Sequence, residues 1–172
     1  MYPSPSVFTW TSLISAYVEC DETHMAFEMY KLMQEEGIEP SKYTIICLLR
    51  ACGSLRSVEH GRAMHDKAHS NGLDNDPFVG SALINMYAKC CALAKAQEVF
   101  NKLSVQNVVS WTGLISGYAQ LGKDAMVVKL FNKMLLENIQ PNVITFTVML
   151  NVCRHSGLNH ESEIPQKFQV YS

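Results

Sequence analysis

Apolar residues recur along this chain in paired stretches, each at helical spacing and each followed by residues that stop helices. Trp10, Leu13, Ile14 and Tyr17 fall at i, i+3, i+4 and i+7, with Val7 three residues before, which predicts an amphipathic helix. Met25, Ala26, Met29, Tyr30 and Met33 share one face of a second helical stretch. Gly37 then supplies a left-handed C-terminal residue without steric strain. Pro40 bars any continuation. Val7–Ser41 therefore reads as a helical hairpin.

The same grammar returns down the chain. Trp-Thr-x-Leu-Ile-Ser-x-Tyr occurs at Trp10–Tyr17 and again at Trp111–Tyr118, 101 residues later. An apolar pair marks steps of 35, 35 and 31 residues between them: Leu13-Ile14, Leu48-Leu49, Leu83-Ile84 and Leu114-Ile115, with Met149-Leu150 beyond. Tyr17, Cys52, Tyr87, Tyr118 and Cys153 each stand three residues past the pair. Fixed-period self-similarity of this kind is the signature of a solenoid. Lys42–Asp76 closes its second helix at Gly72. Pro77–Asn107 is the short unit, with Ala96, Val99, Phe100 and Leu103 on its second helix. Val108–Asn142 closes at Asn138, ahead of Pro141. Two short helices cannot bury their apolar faces alone, so the hairpins must stack.

The expected organisation is an N-terminal extension at 1–6 and an array at 7–158, with units 7–41, 42–76, 77–107, 108–142 and a partial 143–158. A degenerate tail, 159–172, follows, in which Pro165 falls where a helix interior should be. The predicted fold is all-α, a right-handed α-solenoid of about nine helices. Met1–Ser6 lacks Arg and an apolar run, so it does not read as a signal or transit peptide, and the register begins almost at once. A fragment of a longer gene product is the expectation.

Composition narrows the chemistry. Apolar residues make up 48 % of the chain and mean hydropathy is near zero, which gives ample core material. No run of eighteen apolar residues argues for a membrane span. A net charge of −2 shows no basic stripe and so makes no electrostatic case for nucleic acid by itself. The six cysteines lack zinc-site spacing and read as structural. His65-x3-His69 could hold zinc, but no Glu follows His65, so no metal is expected. No phosphate loop, nucleophile elbow or deaminase signature is present, so neither catalysis nor a cofactor is expected.

These repeats resemble the pentatricopeptide repeat family in its plant-type alternation of standard, long and short units. The standard units carry Trp-Thr-x-Leu-Ile-Ser and end in Gly37-Ile38-x-Pro40 or Asn138-Ile139-x-Pro141. The long unit shows Leu48-Leu49-Arg50-Ala51-Cys52 and Glu59-His60-Gly61-Arg62-Ala63-Met64-His65, and the short unit Phe78–Cys90. The tetratricopeptide repeat, a protein-binding hairpin, fits less well, because its glycine position holds Ile14 and Ile115. Cys91 stands where the short unit normally has glycine, and Asp21 takes the matching place in the first.

The resemblance implies single-stranded RNA as partner, read at about one base per repeat. By position, the reading pairs are Thr11/Ser41, Ile46/Asp76, Ser81/Asn107 and Thr112/Asn142, the last two suggesting adenine. Ile46 cannot hydrogen-bond, so the long unit should not read. Phe8, Tyr43, Phe78, Val109 and Ile144 would flank bases, the aromatics by stacking. Outside family context, such aromatics read as packing residues and Thr11, Ser81 and Thr112 as helix caps. The resemblance also implies an organellar RNA-processing or RNA-editing factor, in mitochondrion or chloroplast, with a separate enzyme supplying any chemistry. A protein-interaction scaffold is the alternative. A basic inner groove would favour RNA and an apolar one protein.

Overall fold

The computed structural model describes residues 6–156, with side chains to Arg154. Most of the N-terminal extension and all of 159–172, Pro165 included, lie outside the described residues. Those residues form nine helices and no strand. They are α1 (Val7–Glu19), α2 (Thr23–Glu35), α3 (Lys42–Leu55), α4 (Val58–Ser70), α5 (Pro77–Lys89), α6 (Leu93–Lys102), α7 (Val108–Gln120), α8 (Asp124–Leu136) and α9 (Val143–Ser156).

Odd and even helices pair as hairpins, α1 with α2 through α7 with α8. The odd helices also stack on one another in sequence, α1 on α3, α3 on α5, α5 on α7 and α7 on α9. Each even helix packs on its own partner and on the next odd helix, and even helices approach one another through side chains, as where the Phe27 and His60 rings of α2 and α4 lie 5.1 Å apart. The odd helices thus form one continuous layer, flanked by the even ones. The result is a helical-repeat solenoid.

Equivalent positions explain the stacking. Leu48, Leu83 and Leu114 are buried against the preceding odd helix, whereas Leu13, which has none before it, is 39 % exposed. Ile14, Leu49, Ile84 and Ile115, each one residue further along, are buried as well, whereas the equivalent Leu150 of α9 is 66 % exposed. Burying one such side chain is worth roughly 1.5–3 kcal/mol, so each interior unit is held from both sides and each end from one.

Left-handed residues punctuate the turns. Gly37, Gly72 and Asn138 follow the even helices at φ of 72°, 68° and 57°. Asp21, Arg56, Cys91 and Gly122 follow the odd ones at 61°, 52°, 59° and 63°. In the short unit, α6 has ten residues instead of the usual thirteen, and Leu103 leaves it in extended backbone rather than continuing the helix.

Candidate nucleic-acid interface

The start of each odd helix is capped by the residue just before it. Ser41 accepts from Thr44 N–H, Asp76 from Phe78 and Val79 N–H, Asn107 from Val109 and Ser110 N–H, and Asn142 from Thr145 N–H. Such a cap satisfies donors that the first helical turn leaves unpaired. Thr11, Ser81 and Thr112 are not caps. They lie inside the helices, and each hydroxyl donates to the carbonyl four residues back, on Val7 (2.7 Å), Pro77 (2.6 Å) and Val108 (2.7 Å).

Two of the four expected pairs meet directly. Ser81 Oγ lies 3.1 Å from Asn107 Oδ1. Thr112 Oγ1 lies 3.4 Å from Asn142 Oδ1 and 2.8 Å from Thr145 Oγ1, which itself donates to Asn142 Oδ1 at 2.9 Å. Thr11 and Ser41 meet through Thr44, at 2.7 and 2.9 Å. Ile46 and Asp76 form no such pair. Asp76 Oδ2 instead accepts from the Lys42 ammonium at 3.2 Å. Partial burial pushes the Asp76 carboxyl up. Hydrogen bonds from Val79 N–H, Lys42 and Phe78 N–H outweigh that and hold it below the usual carboxylate range.

Capping fixes how each asparagine points. Asn107 Oδ1 already accepts from Val109 N–H and Ser110 N–H, at 3.0 and 2.9 Å, with Ser81 Oγ beside it at 3.1 Å. Its Nδ2 reaches only Pro77 O, at 3.5 Å. Asn142 Oδ1 is likewise committed to the Thr145 N–H and the Thr145 hydroxyl, with Thr112 Oγ1 beside it at 3.4 Å. The oxygen is spent on the helix end and the amide N–H groups remain. The neighbouring hydroxyls have given their single proton to backbone or amide oxygen, so what they still offer is lone pairs.

The second residue of each odd helix stands in solvent. Phe8, Tyr43 and Phe78 are 77, 63 and 65 % exposed, too open for core packing, and Val109 and Ile144 are exposed beside them. Shallow grooves run between successive odd helices. The one between α3 and α5 measures about 270 Å³ and brings Ile46, Phe78, Ser81, Asn107 and Val109 together with Arg50 and Lys89. Only cations are charged in its lining. The groove between α1 and α3 holds Phe8, Thr11, Ser41 and Tyr43, and its charged residue is Glu19. Asp124 lines the one between α7 and α9.

Sequence reasoning missed Thr44 and Thr145, the hydroxyls that link the pairs, and the cations Lys42, Arg50 and Lys89. A hydroxyl three residues after a capping Ser or Asn was the available signal for the first two, since it matches a capping-box spacing. Elsewhere, His65 Nδ1 shares a hydrogen bond with Tyr87 hydroxyl at 2.9 Å, while His69 Nδ1 pairs with Asp74 at 2.8 Å. The two imidazoles thus serve different partners. Among the described residues no group of three or more His, Cys, Asp or Glu gathers as a metal site, and no helix is long and apolar enough to cross a membrane. Burial pushes the Cys52 thiol up to about 12, so it is an inert core group.

Comparison with known proteins agrees with the geometry. The PPR repeat family model matches residues 5–54 and 106–155, and the PPR repeat model matches 81–108. A pentatricopeptide repeat-containing protein of Arabidopsis thaliana is 39 % identical over 149 residues, covering 87 % of this chain and 30 % of its own length. A second from the same plant is 36 % identical over 160 residues, covering 93 % and 16 %. A third, named as mitochondrial, is 34 % identical over 152 residues, covering 88 % and 27 %. The chain thus spans less than a third of these curated relatives. The crystal structure of the pentatricopeptide repeat protein PPR10 in complex with an 18-nt psaJ RNA element superposes with a TM-score of 0.79 at 19 % identity, over 88 % of this chain and 23 % of that one. PPR10 from maize gives 0.69 at 16 % identity, over 90 % and 23 %. At such identities the likeness concerns the fold.

Proposed function

This chain belongs to the PPR repeat family, and from that premise we propose that its odd-helix face binds single-stranded RNA in a base-dependent way. The units are bounded as in the sequence, at 7–41, 42–76, 77–107, 108–142 and 143–158. Ser81/Asn107 and Thr112/Asn142 read two adjacent adenines, Phe78, Val109 and Ile144 flank them, and Thr11/Ser41, with Phe8 and Tyr43, offers a polar but less selective place. The fixed asparagine orientation carries this reading. An outward amide N–H donates to adenine N1, and the hydroxyl beside it accepts from adenine N6–H. Guanine reverses both demands.

The setting is an organellar RNA-processing or RNA-editing factor, in mitochondrion or chloroplast, whose chemistry comes from a separate enzyme. The mitochondrial naming of one relative and the PPR10–RNA complex support it. A protein-docking role is the second reading, favoured by the end grooves, whose charged lining residues are acidic, Glu19 in one and Asp124 in the other.

The test is Asn142→Asp, with the two units grafted into a longer array of repeats and base preference measured by equilibrium binding. Aspartate keeps the cap and turns the outward donor into an acceptor. Preference at that base should move from adenine towards guanine, by roughly 1–3 kcal/mol. Unchanged preference with retained affinity means that Asn142 does not read RNA, and the docking role gains.

A further inference from the structure

The second unit differs from its neighbours in what lies between its flanking rings. Lys42 opens α3, and its Nζ sits 5.4 Å from the Tyr43 ring centroid and 5.6 Å from that of Phe78. It also donates to Asp76 Oδ2 at 3.2 Å. Tyr43 and Phe78 are the second residues of consecutive units, and Asp76 is the last residue of the first of them. The ammonium therefore lies where the proposed reading would seat the base of that unit, against both faces and against the polar group that would recognise it. Attraction between a cation and two aromatic rings, added to a charged hydrogen bond, holds it there. The side chains of Lys42 and Asp76 are only 35 and 18 % exposed, so the pair is partly shielded from solvent.

We propose that Lys42 closes the base slot of the second unit, so that the nucleotide opposite it is left unread between the first and third units. This rests on the RNA reading above and makes Lys42 a specificity-determining residue. The absence of hydrogen-bonding capacity at Ile46 makes the slot poor at recognition; Lys42 makes it occupied. Asp76 Oδ1 is held by Phe78 and Val79 N–H, at 2.9 and 3.1 Å, so Oδ2 is the oxygen that removal of Lys42 would release. That oxygen is a pure acceptor. Uncovered, it favours bases with a ring N–H, guanine and uracil, over adenine and cytosine, whose corresponding ring nitrogens accept.

The experiment compares the full chain with Lys42→Met and Lys42→Arg, using single-stranded RNA oligonucleotides varied one base at a time, at low ionic strength where binding is strongest. Lys42→Met keeps the aliphatic stem at a half-buried helix start, and circular dichroism confirms that helicity is kept. The native chain and Lys42→Arg should be indifferent at the second slot. Lys42→Met should gain roughly tenfold preference for guanine and uracil there. A native chain that already discriminates at this slot, or a Lys42→Met variant that stays indifferent while the Ser81/Asn107 slot still discriminates, overturns the closure and leaves the RNA reading standing. Loss of discrimination at both slots in the native chain removes the RNA reading, and the closure with it.

Discussion

The short unit built on α5 and α6 and the standard unit built on α7 and α8 solve the same packing problem in opposite ways. At the fourth position of the odd helix the standard unit places Trp111, buried edge-on against Phe100 with ring centroids 4.7 Å apart. The short unit places Gly80 there, and a Cβ on it would collide with Leu103. Leu103 reaches that space because α6 stops three residues early and releases it in extended backbone. One unit fills its interior from its own odd helix, the other from the end of its even helix. Volume at an interface is thus conserved while its source is exchangeable. The same volume cannot be supplied twice.

Four perturbations probe this contrast. The largest is Trp111→Ala, expected to destabilise by roughly 3–5 kcal/mol in chemical denaturation. Trp111→Phe should cost clearly less, since it keeps a ring and removes an indole N–H that is buried without a partner. Equal losses for the two would mean that ring burial is not what holds this interface.

Next comes Gly80→Ala, expected to cost about 1–3 kcal/mol by overpacking against Leu103. The penalty should shrink when measured in a Leu103→Ala background, where the space is free. Additive costs in that double-mutant cycle break the proposed exchange of volume.

The turns after the odd helices contrast as well, since Cys91 and Gly122 hold the same left-handed conformation. Cys91→Gly should stabilise by about 1 kcal/mol and Gly122→Cys should destabilise by a similar amount. Like signs for the two substitutions would show that backbone strain does not govern these turns.

The smallest effect concerns the tyrosines. Tyr87 bonds His65, whereas Tyr118 bonds Gln97 at 3.3 Å. Burial, aided by Lys102 and Lys95, holds His65 below its ordinary imidazole range, against Asp66 and Asp74. Because the folded value is depressed, the stability it gives is present above about 6.5 and is lost as pH falls through the folded value. Amide protection around Tyr87 should therefore fall between about pH 7 and pH 5 while protection around Tyr118 holds. Parallel behaviour in the two units removes His65 as the cause.

Much of this architecture is legible in the sequence because helical spacing and turn residues are local signals. The paired helices follow from it, and so do the left-handed residues Gly37, Gly72 and Asn138, whose residue types favour that conformation. Arg56 adopts the same conformation at φ 52°, yet Leu55-Arg56-Ser57 contains no residue that favours it. Backbone bonds from Arg56 N–H to Gly53 O and from Ser57 N–H to Cys52 O close that turn. The candidate interface divides along the same line. Ser81 and Asn107 can be picked out by position, but Thr11, Ser81 and Thr112 look like caps until the helix starts are placed four residues earlier. Lys42 meets Asp76 across 34 residues, and no local pattern foretells such a contact.

The caps have an evolutionary consequence. Ser41, Asp76, Asn107 and Asn142 occupy one structural role with three kinds of side chain, all of them good N-caps. The fold therefore confines this position to a short alphabet but is nearly indifferent to the letter chosen. Exchange among Ser, Asp and Asn is close to neutral for folding and changes only the hydrogen-bonding face turned outward. Under the RNA reading proposed above, a lineage can drift through such exchanges under selection on recognition alone, and the array can acquire new targets without passing through unstable ancestors.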